Sequence, residues 1–117
     1  MTFEEIQPYL IPAAVAAFLL YRFLKFRGVR GKLPELARGG AVFVDVRTPA
    51  EHAAGSRPGS LNIPLDELER RAGELDRSKT IVLCCASGAR SGVAASILKR
   101  KGFTVINAGP WQNTLER

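Results

Sequence analysis

Residues 80 to 101 constrain this chain more than any other stretch. Thr80 to Cys84 are β-branched or apolar, bounded by polar residues, and read as a buried strand. Ser91 to Lys101 carries Val93, Ala94, Ile97 and Leu98 at helical spacing. The segment between them, Cys85-Ala86-Ser87-Gly88-Ala89-Arg90, is too short to fold on itself except as a semicircle. In such a loop successive backbone N–H groups point inward, and the N-terminus of the following helix adds partial positive charge at the same place. Cysteine reactivity follows the thiolate fraction, so a cradle that binds an anion also activates the sulfur it encloses. Cys85 is therefore the candidate nucleophile. Ala86, Ser87, Gly88, Ala89 and Arg90 are the candidate substrate-binding residues.

The rest of the pattern alternates strands with helices. Ala41 to Val46 predicts an apolar strand, Pro49 to Ala54 a short helix capped by Thr48, and Leu61 to Ile63 a brief strand. Leu65 to Leu75 predicts an amphipathic helix and Thr104 to Asn107 a last strand. Such alternation means α/β architecture, a parallel sheet covered on both faces. Ligands of parallel sheets bind at the carboxyl ends of strands. Cys85 follows one such end, and Asp45 and Arg47 follow another. Asp45 is read as a hydrogen-bond acceptor that holds its loop, and Arg47 with Glu51 as an ion pair fixing the Thr48-Pro49 corner. His52, the only histidine, is read as structural, and Trp111 as a lid over the last strand.

From Val42 to Asn113 the chain resembles the rhodanese-like sulfurtransferases. Val44-Asp45-Val46-Arg47-Thr48-Pro49-Ala50-Glu51 is similar to their D-V-R-x-x-x-E segment, and Gly55 to Pro64 to their G-H-I-P-G-A-x-N-I-P segment. Cys85 to Arg90 falls on their C-x-x-G-x-R loop, and Asn107 to Trp111 resembles their closing glycine turn and tryptophan. Ser56 and Arg57 stand where the family has His-Ile, and Pro110 replaces a residue of the glycine turn. The resemblance implies a three-layer α/β domain with about five strands. It also implies a thiosulfate sulfurtransferase in which Cys85 takes a sulfane sulfur from thiosulfate or a persulfide donor and passes it to a thiol or protein cysteine. The N–H groups of residues 86 to 90 would stabilise the persulfide, with no metal or organic cofactor. Arg90 would brace the loop and attract the anionic donor.

Cys84 keeps a rival open, because counting from it to Arg90 gives C-x5-R, the spacing of cysteine-based phosphatases and arsenate reductases. Strand alternation and the G-x-R register both favour Cys85 as nucleophile and Cys84 as an ordinary buried residue. A further alternative is a non-catalytic persulfide carrier or binding module at a membrane.

Residues Ile6 to Tyr21 contain no charge, and extension to Phe26 admits only Arg22 and Lys25. As a helix this stretch spans roughly 30 Å, about one hydrocarbon core. Glu4 and Glu5 precede it, where a cleaved signal peptide would carry basic residues. Of the net charge of +6, the part up to Lys32 holds five basic and two acidic residues, and the remainder twelve and nine. The basic cluster Arg22, Lys25, Arg27, Arg30 and Lys32 fits membrane contact better than nucleic acid; with the apolar run it predicts a single-pass anchor with the domain in the cytoplasm, the alternative being a peripheral or hydrophobic interface helix. The two cysteines are adjacent and close no useful loop, so they are read as reduced thiols. The predicted organisation is an N-terminal hydrophobic helix over residues 1–27, a linker over 28–32 and a rhodanese-like domain over 33–117.

Overall fold

The computed structural model describes residues 1–115; Glu116 and Arg117, the last two residues of the predicted domain, lie outside the described residues. Four strands form one parallel sheet: β1 (Val42–Asp45), β2 (Leu61–Asn62), β3 (Ile81–Cys85) and β4 (Val105–Pro110), in the order β2-β1-β3-β4. The family resemblance implied about five. Four are found among the described residues, and ahead of Val42 the chain is helical to Arg38 and turns at Gly39 and Gly40.

Helices cover both faces. On one side α4 (Ala89–Arg100) and the short α3 (Leu68–Arg71) bury Val44, Leu83, Cys85, Leu68, Ala94 and Leu98 in one core. The predicted helix Leu65 to Leu75 is broken. A 3₁₀ turn at Leu65–Glu67, the single turn of α3 and a second 3₁₀ turn at Ala72–Glu74 replace it. No side chain caps the amino ends of these turns, so nothing favours one continuous helix over tighter short pieces.

The opposite face is covered by the second half of α1 (Phe3–Arg38), a single helix of 36 residues opened by a Thr2–Glu5 capping box. The predicted linker, residues 28–32, is helical. Gly28 and Gly31 weaken it, but Phe26, Val29, Leu33 and Leu36 recur at helical spacing on one stripe. Phe26 and Leu33 are buried, and Leu33, Val29 and Leu36 pack on Phe43, Val82, Cys84 and Ala108. Tertiary burial outweighs the local propensity. The first half of α1 behaves differently: Leu10, Ile11, Val15, Phe18, Leu19, Leu20 and Tyr21 all stand exposed. By length and composition this helix is long and apolar enough to cross a membrane.

Between β3 and α4 the chain makes its sharpest demand on the backbone. Gly88, the residue before α4, has φ +101°, and Gly109 in β4 has φ +76°. The β3–β4 register shifts between Leu83 and Cys84, so that Leu83 pairs with Asn107 but Cys84 with Gly109. That irregularity lies beside the loop that follows Cys85.

Candidate active site

Strand alternation separates the two cysteines: Cys84 belongs to the core under α1 and Cys85 to the core under α4. Burial first, and then the nearby charge of Asp45, pushes the Cys84 thiol up to about 12. For Cys85 burial is again the largest single influence and also acts upward. Against it stand the Ser91 hydroxyl and the backbone N–H groups of Ser91, Gly88 and Ser87, which together hold the thiol below the ordinary cysteine value. The Gly88 N–H donates to Cys85 Sγ at 2.9 Å, and the Ser91 Oγ lies 3.3 Å from it.

Ser91 has one hydroxyl proton and three acceptors within reach: Asn107 Oδ1 at 2.7 Å, the Gly88 carbonyl at 3.2 Å and Cys85 Sγ. Opposite a neutral thiol the shortest contact takes the proton; opposite a thiolate the hydroxyl is able to turn toward sulfur. Asn107 also accepts from the Gly109 N–H at 2.9 Å, which ties the β4 turn to the loop. Sequence reading missed both Ser91 and Asn107 as loop partners. A buried serine in the first helical turn after the loop was the available signal.

Arg90 lies at the second position of α4, since the helix begins at Ala89 rather than at Ser91. Its guanidinium makes two hydrogen bonds to the Glu51 carboxylate, at 2.7 and 2.9 Å. The predicted Arg47–Glu51 pair does not form. Arg47 instead grips Asp45, which is fully buried, through contacts of 2.7 to 3.0 Å, and donates to the Gly55 carbonyl at 2.6 Å. Asp45 accepts from the Arg47 N–H within its own loop, and Arg47 spans from β1 to the Gly55 turn beneath Trp111, 5.1 Å from the ring centre. Glu51 is drawn away because Thr48 caps α2 (Pro49–Ala54) and receives the Glu51 carboxylate in return, which aims it toward α4. His52 Nε2 meets Ser60 Oγ at 3.0 Å.

Two hollows flank the loop. One, of about 330 Å³, is lined by Val46, Thr48, Pro64, Leu65, Asp66 and Arg90 at the carboxyl end of β1. The other, of about 510 Å³, lies between α1 and the outer side of the loop, with Phe18, Tyr21, Arg22 and Lys25 on one wall and Ser87, Gly88 and Ala89 on the other.

The rhodanese-like domain model matches residues 31–109. The chain belongs to the rhodanese-like domain family. This rhodanese-like chain is 44% identical over 68 residues to YrkF of Bacillus subtilis (strain 168), a protein named for sulfur carriage; the match covers 57% of this chain and 37% of that one. It is 37% identical over 70 residues to thiosulfate sulfurtransferase PspE of Escherichia coli (strain K12), covering 57% of this chain and 67% of that one. Among solved structures it superimposes on the human single-domain sulfurtransferase TSTD1 with a TM-score of 0.60 at 31% identity, over 74% of this chain and 88% of the other. The rhodanese-like fold therefore accounts for the parallel sheet and the Cys85 loop.

Proposed function

We propose that this rhodanese-like chain is a membrane-anchored sulfurtransferase in which Cys85 carries the sulfur. The observation that supports the reading most is the Gly88 N–H aimed at Cys85 Sγ, 2.9 Å away, at the junction of β3 and the amino end of α4. The Cys85 thiolate attacks the outer sulfur of thiosulfate. A sulfur–sulfur bond forms to Cys85, the sulfur–sulfur bond of thiosulfate breaks, and sulfite leaves with the electron pair. The terminal sulfur of the Cys85 persulfide keeps one negative charge, which the N–H groups of residues 86 to 90 stabilise. An acceptor thiolate then attacks that terminal sulfur, takes it as its own persulfide and returns Cys85 to the thiolate.

Cys85 is 0% exposed, so the donor has to present its outer sulfur at the loop rim. The hollow lined by Thr48 and Arg90 at the carboxyl end of β1 is the proposed approach. Arg90 remains 36% exposed on its side chain and braces α4 against α2 beside the donor. The phosphatase reading is disfavoured because Cys84, held up to about 12, stays a neutral thiol under the sheet.

The exposed apolar half of α1 supports a single-pass anchor, and the basic residues that follow it support a cytoplasmic domain. In this arrangement residues 1–27 comprise the anchor and its docking turn, and residues 33–117 the sulfur-transfer domain.

The test is the intact mass of the protein after thiosulfate treatment, followed by peptide mapping. A gain of one sulfur atom on Cys85, absent in Cys85→Ser and discharged by added thiol with sulfite release, is the expected result. Sulfur gain without repeated sulfite release would make the chain a carrier. No gain on Cys85 would overturn the reading.

A further inference from the structure

We infer that Arg22, on the apolar N-terminal helix, is a positioning residue for the Cys85 loop: by holding the Ser87 carbonyl it fixes the Ser87–Gly88 peptide with its N–H aimed at the sulfur. The inference rests on the proposed role of Cys85 as the sulfur carrier.

The Arg22 Nη2 donates to the Ser87 carbonyl oxygen, a contact between residues 65 apart in the chain. That carbonyl and the Gly88 N–H belong to one peptide plane, and across a trans peptide they point in opposite directions. Among the described residues no peptide bond is cis. A guanidinium pulling on the oxygen from outside the loop therefore aims the N–H inward, where it meets Cys85 Sγ at 2.9 Å. The donated bond also polarises the peptide and strengthens its other end.

Something has to hold this peptide, because glycine imposes no conformation of its own. Gly88 has φ +101°, a region that glycine enters and leaves at little cost, so a flipped peptide would turn a carbonyl dipole toward the sulfur. Phe26, one helical turn after Arg22, packs against the loop from the same helix. A Cβ on Gly88 would stand 3.1 Å from Phe26 Cζ, and the Arg22 guanidinium lies 5.7 Å from the same ring. One helix face thus supports the loop with a ring and steers it with a cation. Of the other charged or titratable groups around the sulfur, Arg90 on α4 is paired with Glu51, Arg47 is paired with Asp45, and Cys84 on β3 is held neutral. Lys25 and Tyr21 of α1 line the hollow outside the loop, Lys25 over the Phe26 ring, and among the described residues Arg22 is the cation whose bond reaches the loop backbone.

The experiment uses the full-length chain in detergent and follows alkylation of Cys85 by iodoacetamide against pH, read by mass spectrometry. Arg22→Met keeps a long side chain without a donor. It is expected to move the alkylation midpoint upward and to slow alkylation at neutral pH about tenfold. Arg22→Lys, which still presents a donor, restores most of the rate, and Arg27→Ala, which removes an exposed positive charge from the same helix, leaves the profile unchanged. An Arg22→Met profile that coincides with wild type overturns the inference. So does an equal shift in Arg27→Ala, which would make the effect one of general charge. Arg22→Ala is measured beside them, with thermal melting, so that a fold defect in one variant leaves the other to decide. Persulfide formation by the wild-type chain is scored separately. Its absence would remove the sulfur-carrier reading, whereas the alkylation profiles report on Arg22 in either case.

Discussion

Arg90 and Glu51, 39 residues apart, are joined by two hydrogen bonds of 2.7 and 2.9 Å that tie the first turn of α4 to α2. This contact ties the end of the Cys85 loop to the helix that Thr48 caps. It also compensates much of the charge that Arg90 would otherwise present to an anionic donor.

The Arg90 guanidinium first, and then the Thr48 backbone N–H, hold the Glu51 carboxyl at about 2 against its ordinary 4.5. A carboxyl whose folded pKa is depressed contributes stability that is fully present above the ordinary value and is lost as pH falls through the folded one. Glu51→Gln should therefore melt slightly below wild type at neutral pH, the pair being half exposed and screened. The gap should narrow as pH falls from 4.5 toward about 2. Thermal melts of both proteins across that range check this, and a gap independent of pH would argue against the pair.

The two cysteines should differ sharply in reactivity. At neutral pH, iodoacetamide should label Cys85 and spare Cys84, whose thiol is pushed up to about 12 under the sheet. Cys85→Ser should lower sulfite release from thiosulfate by more than about 10³-fold, because the nucleophile itself is gone. Cys84→Ala should retain on the order of half the rate, since it removes only a small buried side chain. Equal losses in steady-state assays of the two variants would contradict the assignment.

A Cβ at Gly109 would lie 2.8 Å from two atoms of the Phe26 ring, in a backbone with φ +76°. Gly109→Ala should accordingly destabilise the chain by about 1–3 kcal/mol through overlap and backbone strain. Phe26→Ala removes the ring and should cost about 3 kcal/mol. The double variant should lose less than the sum, by roughly 1 kcal/mol, because one change relieves the clash made by the other. Denaturant unfolding in detergent measures all three, and strict additivity would place the ring elsewhere.

Where the chain is cut should decide what is lost. Beginning it at Arg22 removes the exposed apolar half of α1 while keeping Arg22 and Phe26, and should release the protein from membranes with activity retained. Beginning it at Gly31 also removes Arg22, Phe26 and Val29, all of which pack on or bond to the domain. That shorter chain should be less stable and about tenfold less active. Carbonate extraction of the full-length protein should leave it in the membrane pellet, and protease treatment of sealed vesicles of known orientation should find the domain on the cytoplasmic face. Equal activity of the two shortened chains would show that α1 does not support the loop.

The strand–loop–helix around Cys85 was legible in the residues alone. The apolar run before it, the helical spacing after it and the C-x-x-G-x-R register are local, and local patterns survive without knowledge of the fold. The same holds for Thr48 as the cap of α2 and for the uncharged run Ile6 to Tyr21. That Glu51 faces Arg90 and Arg47 turns back on Asp45 came from the fold, since the four-residue spacing favoured Arg47 with Glu51 and Arg90 lies 39 residues from Glu51 in the chain. The fold also decided that residues 28–32 are helix. Two glycines and a basic cluster read locally as a linker, but the sheet face carrying Phe43, Val82 and Cys84 needed a cover, and burying Val29, Leu33 and Leu36 against it outweighed the glycines. From that docking follows the contact of Arg22 with Ser87, which no local pattern foretells, because a charge beside an apolar run looks the same whether it meets a lipid headgroup or a carbonyl 65 residues away.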